Sequence, residues 1–345
     1  MKLDRTVTIA EDNYCYSIGY YVTNKWIDND TFIGVKEPVE NVAGRYVESA
    51  PDKELVKVSL KDNSIEVIDT GVRYANFAEV KNDKIYYNDA IGIVEFDLKN
   101  NTKKRICETD AGYLHMTADG DYASVFTGKE NEPSRFYRVN IKTGEIEKIL
   151  ERNFVRPFDV ANHLMISPYD KDLFFFAHEG DTFYVSNRLW LYNDKTKKQW
   201  NIARQTLTQD GELADCVGHE MWAPDGKGIY FAKYACSPEP PRGVCYVDVL
   251  SGKYELLYSK YKYWHVGVSQ DAKYLVADTQ YEPDQCEIVV IDRETDEEVV
   301  VDMVYMTGRH PCHPHPQMSP DNKKIIYTAL DKESGRICIK VAYLK

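Results

Sequence analysis

The chain has 345 residues and a formal net charge of −12, with 43 Lys and Arg against 55 Asp and Glu. The charges are interspersed, which argues against a nucleic-acid surface and means that any site for an anion must be locally positive. No apolar run reaches the about 18 residues that a membrane-spanning helix needs.

The first residues, "MKLDRTVTIAEDNY", contain no apolar h-region, so no secretory signal is expected. The eight cysteines, at 15, 107, 216, 236, 245, 286, 312 and 338, form no CxxC pair. They read as reduced thiols of a cytoplasmic protein. In chain order, one short pattern then recurs: a strand, a tight turn and a more apolar strand. Weak copies are "NKWIDNDTFIGV" (24–35), "AEVKNDKIYYND" (78–89) and "HMTADGDYASVF" (115–126). Strong copies are "LMISPYDKDLFFFA" (164–177), "MWAPDGKGIYFA" (221–232), "GVSQDAKYLVAD" (267–278) and "QMSPDNKKIIYTA" (317–329). Pro, Asp, Asn or Gly occupies each turn, as a hairpin requires.

Six of the copies are followed by a second hairpin, from "ELVKVSLKDNSIEVID" (54–69) to "EIVVIDRETDEEVVV" (287–301), with alternating apolar residues on either side of a polar turn. The repeating unit is therefore four strands, roughly 50 residues long. Tandem four-stranded units make a β-propeller. The expected fold is all-β: a single domain over 1–345, a seven-bladed β-propeller of four-stranded blades. The last blade has three strands of its own, and the N-terminal "RTVTIA" is expected to supply the fourth and close the ring. Two β-sandwiches would fit the steady repeat less well.

Registered on the turn residues Pro168, Pro224, Gln270 and Pro320, the position five residues earlier is His163, His219, His265 and His315. Equivalent positions in successive blades face a common point in a propeller, so four of the eight histidines form an arc. His313 lies two residues before His315 and shares its face in an extended chain. His310 sits just before, in the proline-stiffened stretch "HPCHPHP". Imidazoles presented in this way suit a divalent metal, with His265, His310, His313 and His315 as ligands. A second constellation, "FAHEGDTFYVSNRLW" (176–190), joins one blade's second strand to its third. It carries His178, Glu179 and Arg188, and the arginine fork matches a carboxylate. Tyr184 and Trp222 lie near these segments and are candidates for stacking on a sugar.

Over about residues 155–330 the chain resembles the oligogalacturonate lyases, through "FAHEGDTFYVSNRLW", "GHEMWAPDG", "WHVGVSQD" and above all "HPHPQMSPD". The resemblance implies a seven-bladed propeller of pectin degradation that holds a manganese-type divalent ion with three histidines and one glutamine. His265, His313 and His315 match the histidine ligands, and His310 stands where that family has its glutamine. His219 matches the proposed general base and Arg188 the catalytic arginine. His163 and His178 match histidines around the substrate cleft, and Glu179 is counted with them. One departure is "DTFYVSN" (181–187), where the family has a proline and an acidic pair.

The implied chemistry is β-elimination on an anionic uronate oligosaccharide. A metal and an arginine stabilise the charge formed when the C5 hydrogen leaves, and a histidine takes the proton. Neither the paired acids of glycoside hydrolysis nor a GxSxG nucleophile is evident. Two alternatives follow from the same residues: another uronic-acid oligosaccharide or reaction at the same metal site, or a propeller that serves only as an interaction platform. No nucleic-acid or membrane partner is expected, and the chain reads as a monomer or a weak homo-oligomer.

Overall fold

A computed structural model describes the whole chain except residues 12, 40–49, 51, 129–131, 281–283 and 308–309. The described residues form twenty-eight strands that fall into seven antiparallel four-stranded units. β1 (Leu3–Ile9) comes first. The first unit is then β2 (Tyr14–Ser17), β3 (Thr31–Pro38), β4 (Lys53–Ser59) and β5 (Ser64–Arg73). The second is β6 (Glu79–Lys81), β7 (Lys84–Asp89), β8 (Gly92–Asp97) and β9 (Thr102–Glu108). The third is β10 (Gly112–Met116), β11 (Tyr122–Thr127), β12 (Ser134–Asn140) and β13 (Ile146–Arg152). The fourth is β14 (Ala161–Ile166), β15 (Leu173–His178), β16 (Leu189–Asn193) and β17 (Lys198–Asn201). The fifth is β18 (Val217–Trp222), β19 (Gly228–Lys233), β20 (Gly243–Asp248) and β21 (Tyr254–Tyr258). The sixth is β22 (Tyr263–Val268), β23 (Tyr274–Thr279), β24 (Gln285–Asp292) and β25 (Glu297–Tyr305). The seventh is β26 (Gln317–Met318), β27 (Lys324–Asp331) and β28 (Arg336–Leu344), and β1 pairs with β28 from Leu3↔Leu344 to Ile9↔Ile339. The N-terminal strand thus takes the fourth place in the last unit.

This is the blade pattern of a β-propeller. Middle strands are apolar on both faces: Phe174, Phe175, Phe176 and Ala177 of β15 are all fully buried. Outer strands such as β17, "KQWN", and β21, "YELLY", stay partly exposed and carry polar residues. Polar outer strands blunt the edges that would otherwise pair with other chains.

The chain divides into two compact units, residues 1–104 with 265–345, and residues 105–264. In the first, Tyr16, Trp26, Phe32, Val58 and Ile339 form one core. In the second, Phe126, Phe136, Leu164, Phe174 and Phe176 form another. Each such side chain contributes about 1.5–3 kcal/mol by leaving water.

The phase read in the sequence has a backbone signature. Tyr113, His163 and His219 have φ of 59°, 52° and 56°. Each sits at a break in the register between first and second strand: Gly112/His115, Asn162/Met165 and Gly218/Met221. A β-bulge bends its strand and re-aims a side chain. Histidine is one of the few non-glycine residues enriched at positive φ. His315, just before β26, has φ 48°, whereas His265 is outside this left-handed set.

Candidate active site

The first constellation lies in the unit of residues 1–104 and 265–345. His265 is the third residue of β22, and His313 and His315 lie on the extended segment entering β26. All three are buried, and one ring nitrogen from each lies within 4.8 Å of the others. Asp278 on β23 organises them. Its carboxylate accepts from His265 Nδ1 at 2.9 and 2.8 Å, from the His265 backbone N–H at 2.8 Å and from the His315 N–H at 3.1 Å. Because the carboxylate engages Nδ1, Nε2 is the ring nitrogen of His265 that would offer its lone pair to a ligand. On His315, Nδ1 lies 2.9 Å from the carbonyl oxygen of Gly19. A carbonyl only accepts, so the proton is on Nδ1 and Nε2 carries the lone pair. That Nε2 is buried with no hydrogen-bond partner. Burial, followed by the neighbouring His265, His310 and His313, holds the His315 pKa well below its ordinary value. Its imidazole therefore stays neutral, the form that binds a metal.

The donor set fits a first-row divalent ion: three imidazoles, two of them with partners that hold the proton on Nδ1, Asp278 for His265 and the Gly19 carbonyl for His315. His310, expected as a fourth ligand, lies beside this trio. Its ring centroid is 4.2 Å from that of His313 and 5.6 Å from that of His315. Tyr20 and Tyr21 wall the other side, 4.7 and 5.5 Å from the His315 ring.

The second constellation lies in the unit of residues 105–264. Arg188 precedes β16 and is only 4 % exposed. Its Nε donates to Glu220 Oε1 at 2.5 Å and its Nη2 to Glu220 Oε2 at 3.4 Å. Its Nη1 and Nη2 donate to Glu179 Oε1 and Oε2 at 3.2 and 3.3 Å. Glu220 is wholly buried, whereas the Glu179 side chain is 34 % exposed. His163 stands between the two acids, Nε2 3.6 Å from Glu179 Oε2 and Nδ1 3.9 Å from Glu220 Oε2. Burial raises the Glu179 pKa, but Arg188 and then His163 outweigh it and hold the carboxyl at about 2. His219, at its bulge on β18, packs edge-on to Tyr234 and Trp264, at 5.4 and 5.8 Å. Gly218 permits this assembly. A Cβ there would lie 1.9 Å from the Tyr234 hydroxyl and 3.3 Å from Arg188 Nε.

Other expected site residues are placed elsewhere. His178 is built into its loop. Its Nε2 donates to the Phe158 carbonyl at 2.7 Å, its Nδ1 is 3.0 Å from the Asn187 side chain, and its ring stacks on Phe154 at 3.7 Å. With both nitrogens engaged it braces the 176–190 segment. Trp222 is 3 % exposed and donates from Nε1 to the Met165 carbonyl, so it offers packing and no sugar-facing surface. Tyr184 is 73 % exposed and stacks on Phe158, where it lines a surface groove with Phe183, Leu207 and Leu213. Three participants were missed from the sequence: Asp278, Glu220 and Tyr234. The first two had a signal, since a carboxylate inside an apolar strand needs a partner.

A family model described as oligogalacturonate lyase matches residues 122–296, just over half of the chain. A curated oligogalacturonide lyase of Pectobacterium atrosepticum is 26 % identical over 217 residues, covering 58 % of this chain and 53 % of that protein. An oligogalacturonate lyase of Dickeya dadantii is 25 % identical over the same shares. The chain thus spans about half the length of these curated relatives. A solved oligogalacturonate lyase in complex with manganese superposes with a TM-score of 0.80 at 18 % identity, covering 99 % of this chain and 93 % of that one. The Vibrio parahaemolyticus oligogalacturonate lyase gives 0.76 at 16 % identity, covering 100 % and 99 %. At these identities the likeness shows the fold.

Proposed function

Because the chain belongs to the oligogalacturonate lyase family, we propose that it cleaves short, oligogalacturonate-like uronate chains by β-elimination, with a manganese-type divalent ion as cofactor. The observation that carries this reading is the buried trio His265, His313 and His315, with the Asp278 carboxylate on one imidazole and the Gly19 carbonyl on another. Three imidazole donors would hold the ion, and no thiolate or carboxylate competes as ligand in that group. When bound, the ion supplies positive charge at the uronate carboxylate, which stabilises the charge formed at C5.

His219 is the base in this reading. It takes the C5 proton, the C–H electron pair becomes the C4–C5 double bond, and the C4–O bond breaks with its pair on the departing oxygen. No water is consumed, and the new chain end is a 4,5-unsaturated uronate. Arg188 orients the substrate carboxylate through its fork and shares the developing charge. Glu220 holds that fork in place from the buried side. His163 stands within 4 Å of both acids and tempers their negative charge.

The test reads metal content together with ultraviolet absorbance growth on digalacturonate. Stoichiometric metal, and absorbance growth abolished by chelation and restored by manganese, are expected. Chelator-insensitive growth would remove the metal from the mechanism. Neither metal nor growth after manganese is supplied would overturn the lyase assignment.

A further inference from the structure

The arginine of the second constellation is already engaged by two carboxylates. Four of its five N–H groups are directed at carboxylate oxygens, two at Glu220 and two at Glu179. One guanidinium and two carboxylates sum to one negative charge, with His163 within 4 Å of both acids. A substrate carboxylate added to that cluster would meet repulsion as well as a filled fork.

The two acids hold Arg188 differently. Glu220 grips Nε at 2.5 Å and is wholly buried, so it cannot leave without exposing an uncompensated buried charge. Glu179 lies across the end of the fork at 3.2 and 3.3 Å, in the bidentate arrangement that a bound carboxylate would take, and a third of its side chain faces solvent. Its remaining partners are the Asn162 amide at 3.0 Å and His163 Nε2 at 3.6 Å, both on Oε2, and the Gly180 N–H at 3.3 Å on Oε1.

We infer that Glu179 is a placeholder carboxylate, occupying the end of the Arg188 fork until the carboxylate of a uronate displaces it. The exchange conserves the local charge, one anion for another, and replaces two charge-assisted hydrogen bonds with two of the same kind. Glu220 remains in place throughout and keeps the guanidinium oriented. The inference rests on the proposed uronate substrate, and it makes Glu179 a residue that sets affinity by competing for Arg188. It does not bind substrate itself. In the resting protein the same contact keeps small anions off the arginine.

Free D-galacturonate, titrated calorimetrically into the protein and into the Glu179→Gln variant, tests this without requiring turnover. The variant should bind galacturonate roughly tenfold more tightly, since a neutral amide competes poorly with a carboxylate for a guanidinium. Equal or weaker binding by the variant, or no binding by either protein, overturns the placeholder role. Should the variant fold poorly, the wild type still decides. With ¹³C-labelled glutamate, the Glu179 carboxyl resonance must move as galacturonate saturates, and a resonance that stays put overturns the exchange. If wild type leaves digalacturonate uncleaved while Glu179→Gln still binds galacturonate more tightly, the lyase reading fails and the exchange stands.

Discussion

Asp278 makes no contact with substrate in the proposed reaction, yet two of the three histidines proposed to hold the metal depend on it. It fixes the His265 ring through Nδ1 and pins the backbone N–H groups of His265 and His315. Asp278→Asn keeps the shape and loses the charge, and one of its two polar atoms becomes a donor facing an N–H. Manganese affinity is expected to fall about 10–100-fold, the usual cost of losing such an outer partner. Titration against a competing chelator measures it, and unchanged affinity would show that the histidines hold their geometry alone. His219→Ala should lower kcat by roughly 10²-fold or more while metal content stays stoichiometric. Full activity in that variant would exclude His219 as the base. Glu179 gives a pH prediction. Its carboxyl is held at about 2, below its ordinary 4.5, by Arg188 and His163 against burial. A lowered folded pKa stabilises the fold above the unfolded value, and that stabilisation is lost as pH falls from about 4.5 through 2. Wild type should therefore lose stability relative to Glu179→Gln across that window, read by denaturant titration at several pH values. Parallel curves would mean the pair contributes nothing to folding.

At the scale of the strand, the first strand of a blade does more than line up side chains. The bulges at Tyr113, His163 and His219 break the ladder and re-aim these side chains out of the pleat. This explains why a five-residue offset from a turn residue located the histidines without any knowledge of the backbone. The offset is a property of the hairpin, and the hairpin repeats. Partners from other elements were less legible. Glu220 and Arg188 are 32 residues apart, and His265 and Asp278 are 13 apart. Nothing in local pattern pairs them, although each acid interrupts an apolar strand. Trp222 misled because a buried aromatic and a sugar platform read alike in sequence. His178 misled because its engagement comes from Phe158 and Asn187 on flanking loops. Gly218 shows how tightly β18 is built. Gly218→Ala puts a methyl group onto the Tyr234 hydroxyl and against Arg188. Overpacking of this kind costs about 1–3 kcal/mol. We expect a lower melting temperature and at least a tenfold lower kcat/KM, because the strain falls between His219 and Arg188. Wild-type kcat/KM in Gly218→Ala would show that Tyr234 yields freely.

For the whole molecule, the pattern of hairpins and polar turns was enough to place seven four-stranded units and to expect the chain's first strand beside its last. The pairing of β1 with β28 shows why that arrangement matters physically. Without β1, the largely apolar strand "RICIKVAYL" would present an unpaired edge, a template for association with other chains. β1 also brings Ile9, 7 % exposed, into the core of Tyr16, Ile339 and Val341, with Val7 packed against it. Burying Ile9 alone contributes about 1.5–3 kcal/mol, and each ladder hydrogen bond adds about 0.5–1.5 kcal/mol. Deleting residues 1–10 should therefore lower Tm by roughly 5 °C or more. Amide exchange should rise along β27 and β28 while β15 in the other unit stays protected. The truncated protein should also elute earlier in size-exclusion chromatography as concentration rises, because an exposed edge pairs with another copy. An unchanged Tm together with unchanged elution would show that β28 tolerates an open edge, and that its Lys340 and Arg336 suffice to guard it.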